Sequence, residues 1–358
     1  RLARFAARYA VYTVAGETMR LMRRMADAGE VDALVPERVW QELSRGLMEA
    51  KPSRMFETLR ECGALARLLP EVERLWGVPQ RADLHPEVDT GLHLMRVLDA
   101  AARLAAGLPA RWAAALHDLG KGTTPKDEWP RHLGHEERSV ELARAVNERL
   151  RVPNDCRDAS ILAAREHGHI HRALDLDAAA LLRLLERCDA LRRPALLAQV
   201  LDACEADARG RTGHADEPYP PRERLLAALE AARSVDAGAI AARAGPDGSR
   251  IARAVHQART EAVAARLRKN PPATRRALGR AERGPSVRFD QEVSATATVI
   301  EVKAPDRPGL AWTIADALAR LGLDIRFAKI ATAKALALDV FYVTGAGGKL
   351  APGDLPGV

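Results

Sequence analysis

The chain has 358 residues, of which 47% are hydrophobic and 29% charged, a composition that excludes a disordered or collagen-like protein and, at roughly 150 residues per domain, allows two or three domains. Aromatic residues make up only 4%, so the cores must be built from Ala, Leu and Val, which favours helices, and no apolar run is long enough to span a membrane. The net charge is +7, and four scattered cysteines (Cys62, Cys156, Cys188, Cys204) without a CxxC pair exclude a disulfide scaffold or a zinc finger and point to a reducing cytoplasm.

The chain opens on Arg1 with no signal-peptide pattern behind it, so it is expected to begin inside a larger reading frame. Residues 1 to about 270 read as helix after helix. Arg38–Leu47 spaces its apolar residues three and four apart behind Pro36 at the first helical position. Phe56–Gly63 repeats the pattern and stops at glycine. Helices are predicted over 89–106, 110–119, 134–150, 155–168, 177–191, 194–208 and 222–233. Gly107-Leu-Pro109 and Arg151-Val-Pro153 are breaks between them. From Arg250 to Arg288 eleven basic residues face two acids, Glu261 and Glu282. That run suits a polyanion such as nucleic acid, or equally a solvated Arg-rich linker.

The pattern changes after Pro271-Pro272, and residues 273–288 read as a linker. A β-rich run, Thr296–Val302, leads through the turn Ala304–Gly309 into an amphipathic helix near 310–321. Further β runs follow at Ile325–Ala331 and Leu338–Val343. The order is β-α-β-β, and Gly345–Val358 offers no second helix.

Seven of the ten histidines fall between residues 93 and 171. His117-Asp118 closes an apolar helix, and burying both without partners would cost several kcal/mol. A divalent cation would satisfy imidazole and carboxylate together. His93 lies on the preceding helix, which the Gly107–Pro109 turn folds back alongside. His132, His135, His167, His169 and His171 follow, then Asp189 and Asp207 on Ala- and Leu-rich helices. His132, His169 and His171, each taken singly, are expected to be solvent-facing or capping residues.

His93, His117-Asp118 and a later Asp resemble the signature of the HD phosphohydrolase superfamily. The resemblance implies an all-helical bundle that holds one or two metals and hydrolyses phosphate esters. It makes His93, His117 and Asp118 metal ligands, with Asp189 as the last aspartate and Asp207 as the runner-up. His135 would join a second metal, with His167 in the same site or in hydrolysis. Lys121 would add charge stabilisation to the bound anion. The ion is a divalent metal among Ni, Mg, Mn, Co and Zn.

Longer phrases carry a closer resemblance: Arg4-Phe-Ala-Ala-Arg-Tyr, Pro36-Glu-Arg-Val-Trp-Gln-Glu, His85-Pro-Glu-Val-Asp-Thr-Gly, His117-Asp-Leu-Gly-Lys-Gly and Glu205-Ala-Asp-Ala-Arg-Gly-Arg-Thr-Gly213. These are similar to the neck, body and tail of the bacterial multifunctional CCA proteins, tRNA nucleotidyltransferases with an appended HD domain. The likeness covers about residues 1–268. It implies tRNA as a partner, and 2′,3′-cyclic phosphates, 2′-nucleotides and phosphomonoesters as substrates. The family's nucleotidyl-transfer head, with its Gly-rich loop and Asp/Glu pair, is not read in these residues, so CCA addition is not expected from them alone. Gly168 stands where the family tends to have the aspartate of a second His-Asp pair, which would weaken hydrolysis or leave it to His167.

The C-terminal phrases Thr298–Leu310, Leu323–Thr332 and Asp339–Val343 look like an ACT regulatory domain, most like that of the bacterial PII uridylyltransferases. The resemblance implies amino-acid binding at the Asp306-Arg-Pro308-Gly309 turn and Leu310, where helix N-terminal N–H groups meet a carboxylate, and pairing into a homodimer. Cut short before its second helix and fourth strand, the module is expected to leave an exposed sheet edge. The expected fold is mainly α with a small C-terminal α+β module. It divides into 1–84 (neck and body), 85–208 (HD domain), 209–270 (tail), 271–290 (basic linker) and 291–358 (partial ACT domain). The alternatives are a regulatory enzyme like the uridylyl-removing PII uridylyltransferases, with an amino-acid sensor, and a non-catalytic tRNA-binding remnant.

Overall fold

The computed structural model describes residues 1–81, 85–269, 286–291, 294, 296–305, 307, 309–330, 332–333, 336–345 and 348–350. They fall into two compact units, Arg1–Pro272 and Ala273–Val358.

The first unit is helical. Its leading layer comprises α1 (Leu2–Arg8), α2 (Gly16–Asp27), α3 (Pro36–Leu47), α4 (Ser53–Glu61), α5 (Ala64–Leu68) and α6 (Pro70–Glu73). The bundle that follows comprises α7 (Thr90–Arg103), α8 (Leu108–Leu116), α9 (His135–Arg149), α10 (Asn154–His171), α11 (Ala178–Arg187) and α12 (Pro194–Gly210). α13 (Pro220–Arg233), α14 (Ala237–Ala244) and α15 (Gly248–Lys269) close the unit. No described helix is long and apolar enough to cross a membrane.

The scarcity of aromatic residues shapes the packing. α8 is buried on all sides along Ala110–Leu116, and its alanines leave room for neighbouring backbones to approach. At the crossing of α12 and α7, a Cβ on Gly210 would stand 2.9 Å from the Cα of Val97, so only glycine allows this approach. Trp112 fills the largest buried volume, and its indole N–H donates to Asn147 Oδ1 at 2.8 Å. Asn147 in turn donates to Ser160 Oγ at 2.9 Å, so the polar atoms of this core are paired.

One hydrophobic cluster runs from Val97 on α7 to Leu225, Leu229 and Val263 on α13 and α15. A second joins Ala3, Leu43 and Phe56 to Leu94, Trp112 and Val146. The first core crosses the boundary expected near residue 208 and the second the one near residue 84, so the helices on either side of each share apolar faces.

α10 runs through Gly168 to His171, three residues beyond its expected end at 168. The helix holds because Ala164, His167 and Ile170 stay buried on either side of the glycine. A Cβ on Gly168 would lie 3.0 Å from Glu136 Oε1, so a carboxylate from α9 occupies the space a side chain there would take.

The second unit carries β1 (Ser286–Asp290), β2 (Thr298–Pro305), α16 (Leu310–Arg320), β3 (Asp324–Lys329), β4 (Thr332–Ala333) and β5 (Leu336–Thr344). The strand order is β1-β2-β5-β3, antiparallel throughout, with β4 also on β5. Ile300, Phe341 and Val343 pack with Leu318 and Leu323 into a small core. Two expectations are corrected here. Residues 286–290 are strand rather than linker, because Val287 and Phe289 alternate with Arg288 and Asp290 and add to the core. The edge of β2 away from β5 is covered by β1, with Phe289 opposite Ile300.

Candidate metal centre

His117 and Asp118 sit where α8 ends. His117 is its C-terminal cap, and Asp118 leads into a short 3₁₀ turn, Leu119–Thr123. That turn lies against α9 so closely that a Cβ on Gly120 would meet His135 O at 2.1 Å and Ser139 N at 2.7 Å. Glycine at 120 therefore brings the start of α9, and His135 with it, to Asp118. Asp89 caps α7 by accepting from Leu92 N at 2.9 Å and so sets the first turn that carries His93.

The side chains converge. His117 Nε2 lies 3.2 Å from Asp118 Oδ2 and 3.7 Å from Asp207 Oδ1. His93 Nε2 lies 2.7 Å from the same Asp207 oxygen. On the other side of Asp118, His135 Nε2 and His167 Nε2 stand 3.3 and 3.4 Å from Oδ1, and 3.4 Å from each other. Asp118 thus lies between two groups of donors. Lys121 Nζ is 2.7 Å from Asp118 Oδ2 and donates to Gln80 Oε1 at 2.9 Å. The imidazoles of His93 and His117 and the carboxylates of Asp118 and Asp207 are all at most 6% exposed.

The tautomers follow from the neighbours. His117 Nδ1 donates to Ala114 O at 2.9 Å, His135 Nδ1 to His132 O at 2.9 Å, and His167 Nδ1 to Ala163 O at 3.0 Å. A carbonyl only accepts, so in each ring Nδ1 holds the proton and Nε2 is the atom that faces Asp118. His93 Nδ1 contacts Glu87 Oε1 at 2.7 Å, which orients that ring likewise. His117 Nε2 and Asp118 Oδ1 are buried yet complete no hydrogen bond among the described residues.

This donor set fits a divalent cation: neutral-imidazole Nε2 atoms and carboxylates, buried, with orphaned acceptors turned inward. Among the described residues three triads have ligand atoms mutually within 4.8 Å, His85–Glu87–His93, His93–His117–Asp118 and Asp118–His135–His167, and the last two share Asp118. Without a cation the charges are held by protons. Burial opposes the charged form of His117, but the Asp118 and Asp207 carboxylates push it up to about 10. Burial likewise opposes charge on His93, and Asp207 and Glu87 overcome it and raise its pKa. Against the same cost of burial, the Lys121 ammonium and the His117 imidazole hold Asp118 well below the carboxylate range, and His117, His171 and His93 do so for Asp207.

The structure does not bring Asp189 to this cluster. α11 ends at Arg187, Asp189 follows with φ +50°, and its side chain is 40% exposed, 3.8 Å from Arg192. Asp207 takes the place. On α12 the buried face reads Val200, Ala203, Cys204, Asp207, a helical stripe with the carboxylate at its end. His171 was expected to be a surface or capping residue, yet its Nε2 is 2.7 Å from Asp207 Oδ2. Its position four residues after His167, on the same helix face, is a signal that could have found it. His132 is buried but apart, bonded to Thr124 Oγ1 and Pro79 O, while His169 is exposed beside Glu166. In the second unit, Gly309 has φ +79° and Leu310 is buried at the start of α16, and Asp306 and Pro308 lie outside the described residues.

Comparison with known families agrees with this geometry. Residues 90–207 match the HD domain, the span from α7 to Asp207. Residues 12–75 match the family described as the probable RNA and SrmB-binding site of polymerase A, and residues 298–348 the ACT domain. The protein therefore carries an HD domain within a mainly α-helical architecture and a small ACT module after it.

Its similarity extends further. The chain is 69% identical over 271 residues, 76% of its length, to the multifunctional CCA protein of Cupriavidus taiwanensis. It is 67% identical over 267 residues to that of Burkholderia lata, and 66% identical over 267 residues to that of Cupriavidus metallidurans. The chain spans just under two thirds of the length of these relatives, 64–65%.

Proposed function

We propose that the first unit is a metal-dependent phosphohydrolase that acts on 2′,3′-cyclic phosphates, 2′-nucleotides and phosphomonoesters, on a helical scaffold that binds tRNA. The observation that carries the hydrolytic reading is the convergence of His93, His117, Asp118 and Asp207 around one buried centre, with His135 and His167 on the far side of Asp118. The tRNA reading rests on the RNA-binding family match over residues 12–75 and on the name of the relatives.

His93, His117, Asp118 and Asp207 would hold the cation, with His135 and His167 offering a second position that shares Asp118. A divalent cation bound there supplies the Lewis acidity and positive charge that phosphoester hydrolysis needs. Lys121, fixed between Asp118 and Gln80, adds a cationic group beside the reacting anion. The low exposure of the cluster strengthens each of these charge interactions by excluding water.

The test is hydrolysis of p-nitrophenyl phosphate and of 2′,3′-cyclic AMP by the purified chain with added Ni, Co, Mn, Mg or Zn. His117→Ala and Asp118→Ala are expected to abolish turnover. Unchanged metal-stimulated turnover in those variants would reject the site. Binding to tRNA is expected to weaken steeply as salt rises, as counterion release requires, and a flat salt response would reject the RNA reading.

A further inference from the structure

Asp207 has two oxygens, and only one of them faces the centre. Oδ1 meets His93 and His117, while Oδ2 accepts from His171 Nε2 at 2.7 Å. Behind His171 stands Tyr219, whose hydroxyl is 2.9 Å from His171 Nδ1. The proton positions in this chain follow from chemistry alone. An ionised carboxylate only accepts, so His171 Nε2 carries the hydrogen it gives to Oδ2. In a neutral ring Nδ1 is then an acceptor, and Tyr219 must be the donor to it. The direction is fixed from end to end: tyrosine hydroxyl to imidazole to carboxylate.

We infer that His171 and Tyr219 are positioning residues for the metal centre: they pin Asp207 Oδ2 and so keep Oδ1 turned toward His93 and His117. The inference rests on the reading of Asp207 as a metal ligand. His171 reaches Asp207 from α10, four residues after His167, and Tyr219 reaches His171 from the position that precedes α13. The relay therefore ties the N-cap of the first tail helix to the metal site across three chain segments. Its members are ordered against each other as well as bonded, with the His171 and Tyr219 rings edge to face at 5.7 Å. Among the described residues Arg211 also lies near Oδ2, 4.0 Å away, too far to replace the imidazole as a donor.

A carboxylate ligand whose second oxygen loses its donor can rotate, and loss of such an outer partner typically weakens metal binding about 10–100-fold. Tyr219 acts only through His171, so the two residues must not add. The experiment is Co²⁺ titration followed by visible absorption, on the full chain, with thermal unfolding of the metal-free protein as the folding control. His171→Ala is expected to weaken Co²⁺ binding about 10–100-fold, and Tyr219→Phe, which keeps the ring, by a smaller factor. The double variant is expected to bind as His171→Ala does. His171→Asn, which keeps an N–H donor near Oδ2, should recover part of the loss.

Three results would overturn the inference while leaving the metal centre intact: wild-type Co²⁺ affinity in His171→Ala when Asp207→Asn is weakened, multiplied losses in the double variant, or no recovery in His171→Asn. Should His171→Ala fail to fold, Tyr219→Phe carries the test through the same titration, and unchanged affinity there refutes the relay. Absence of Co²⁺ binding by the wild-type protein would remove the underlying reading as well.

Discussion

Replacing Asp207 by Asn, with Asp189→Asn as its control, tests which aspartate completes the centre. Asp207 is 5% exposed on its side chain and faces three imidazole nitrogens, at 2.7, 2.7 and 3.7 Å. Removing one partner of a buried ion pair costs about 3–5 kcal/mol, because the remaining charge stays buried without compensation. Asn keeps one acceptor oxygen, so about 3 kcal/mol is the appropriate end of that range for the metal-free protein. At about 2–4 °C per kcal/mol for a unit of this size, its melting temperature should fall by roughly 6–12 °C. Co²⁺ affinity should fall by at least the factor of about 100 at the upper end of outer-partner losses, since a ligand itself is changed. Asp189, 40% exposed and 3.8 Å from Arg192, is an ordinary surface pair worth about 0–1 kcal/mol, and its replacement should leave affinity and turnover at wild-type values. The assays are differential scanning fluorimetry after chelation, Co²⁺ titration and ester hydrolysis. Loss of binding in Asp189→Asn together with wild-type behaviour in Asp207→Asn would refute the reasoning.

Other consequences follow from the same contacts. His117 is raised from 6.5 to about 10 in the metal-free protein, so its stabilising contribution is full below about pH 6.5 and is lost as pH rises through 10; melting of the chelated protein at pH 7, 8, 9 and 10 should show that decline, and a flat profile would exclude the proton-bridged cluster. A cation must displace that proton, so Co²⁺ affinity should rise with pH over the same window, by up to about tenfold per unit for each proton released; calorimetry in buffers of different ionisation enthalpy counts those protons, and a count of zero would contradict the assignment. Gly120→Ala places a methyl group against the His135 carbonyl and should abolish hydrolysis while the far-UV spectrum stays helical; full activity would show that the approach of the 3₁₀ turn to α9 is not needed. Asn147→Ala strands the Trp112 N–H and should destabilise the first unit by about 1–3 kcal/mol in urea, with metal affinity unchanged.

Much of the site was legible because its residues break local rules. His117 and Asp118 stand at the end of an apolar helix, and His93 lies on the inner stripe of the one before it, so only a shared partner makes sense of them. Of the two candidate aspartates the sequence ranks Asp189 ahead of Asp207, and the structure brings Asp207, not Asp189, to the cluster. Asp189 lies beyond the end of α11, where helical spacing no longer says which way a side chain points, whereas Asp207 continues a buried stripe of α12. Glu87 and Tyr219 were missed because their contacts depend on approaches between segments far apart in the chain, which no spacing within one helix encodes, whereas His171 follows His167 by four residues on one helix. The helical part of the fold followed from periodicity. β1 did not, because five residues at the end of a basic run alternate too briefly to stand out from a linker.

That short strand changes where the C-terminal module begins. The ACT match starts at residue 298, but the sheet starts at Ser286, and β1 satisfies the backbone groups of β2 from Val299 to Lys303. A fragment cut at the family boundary would expose the N–H and C=O row that β1 now covers, a template for self-association. Transplanting this module onto another enzyme therefore calls for a junction upstream of Ser286. In a gene fusion, those five residues would have to travel with the sheet they close.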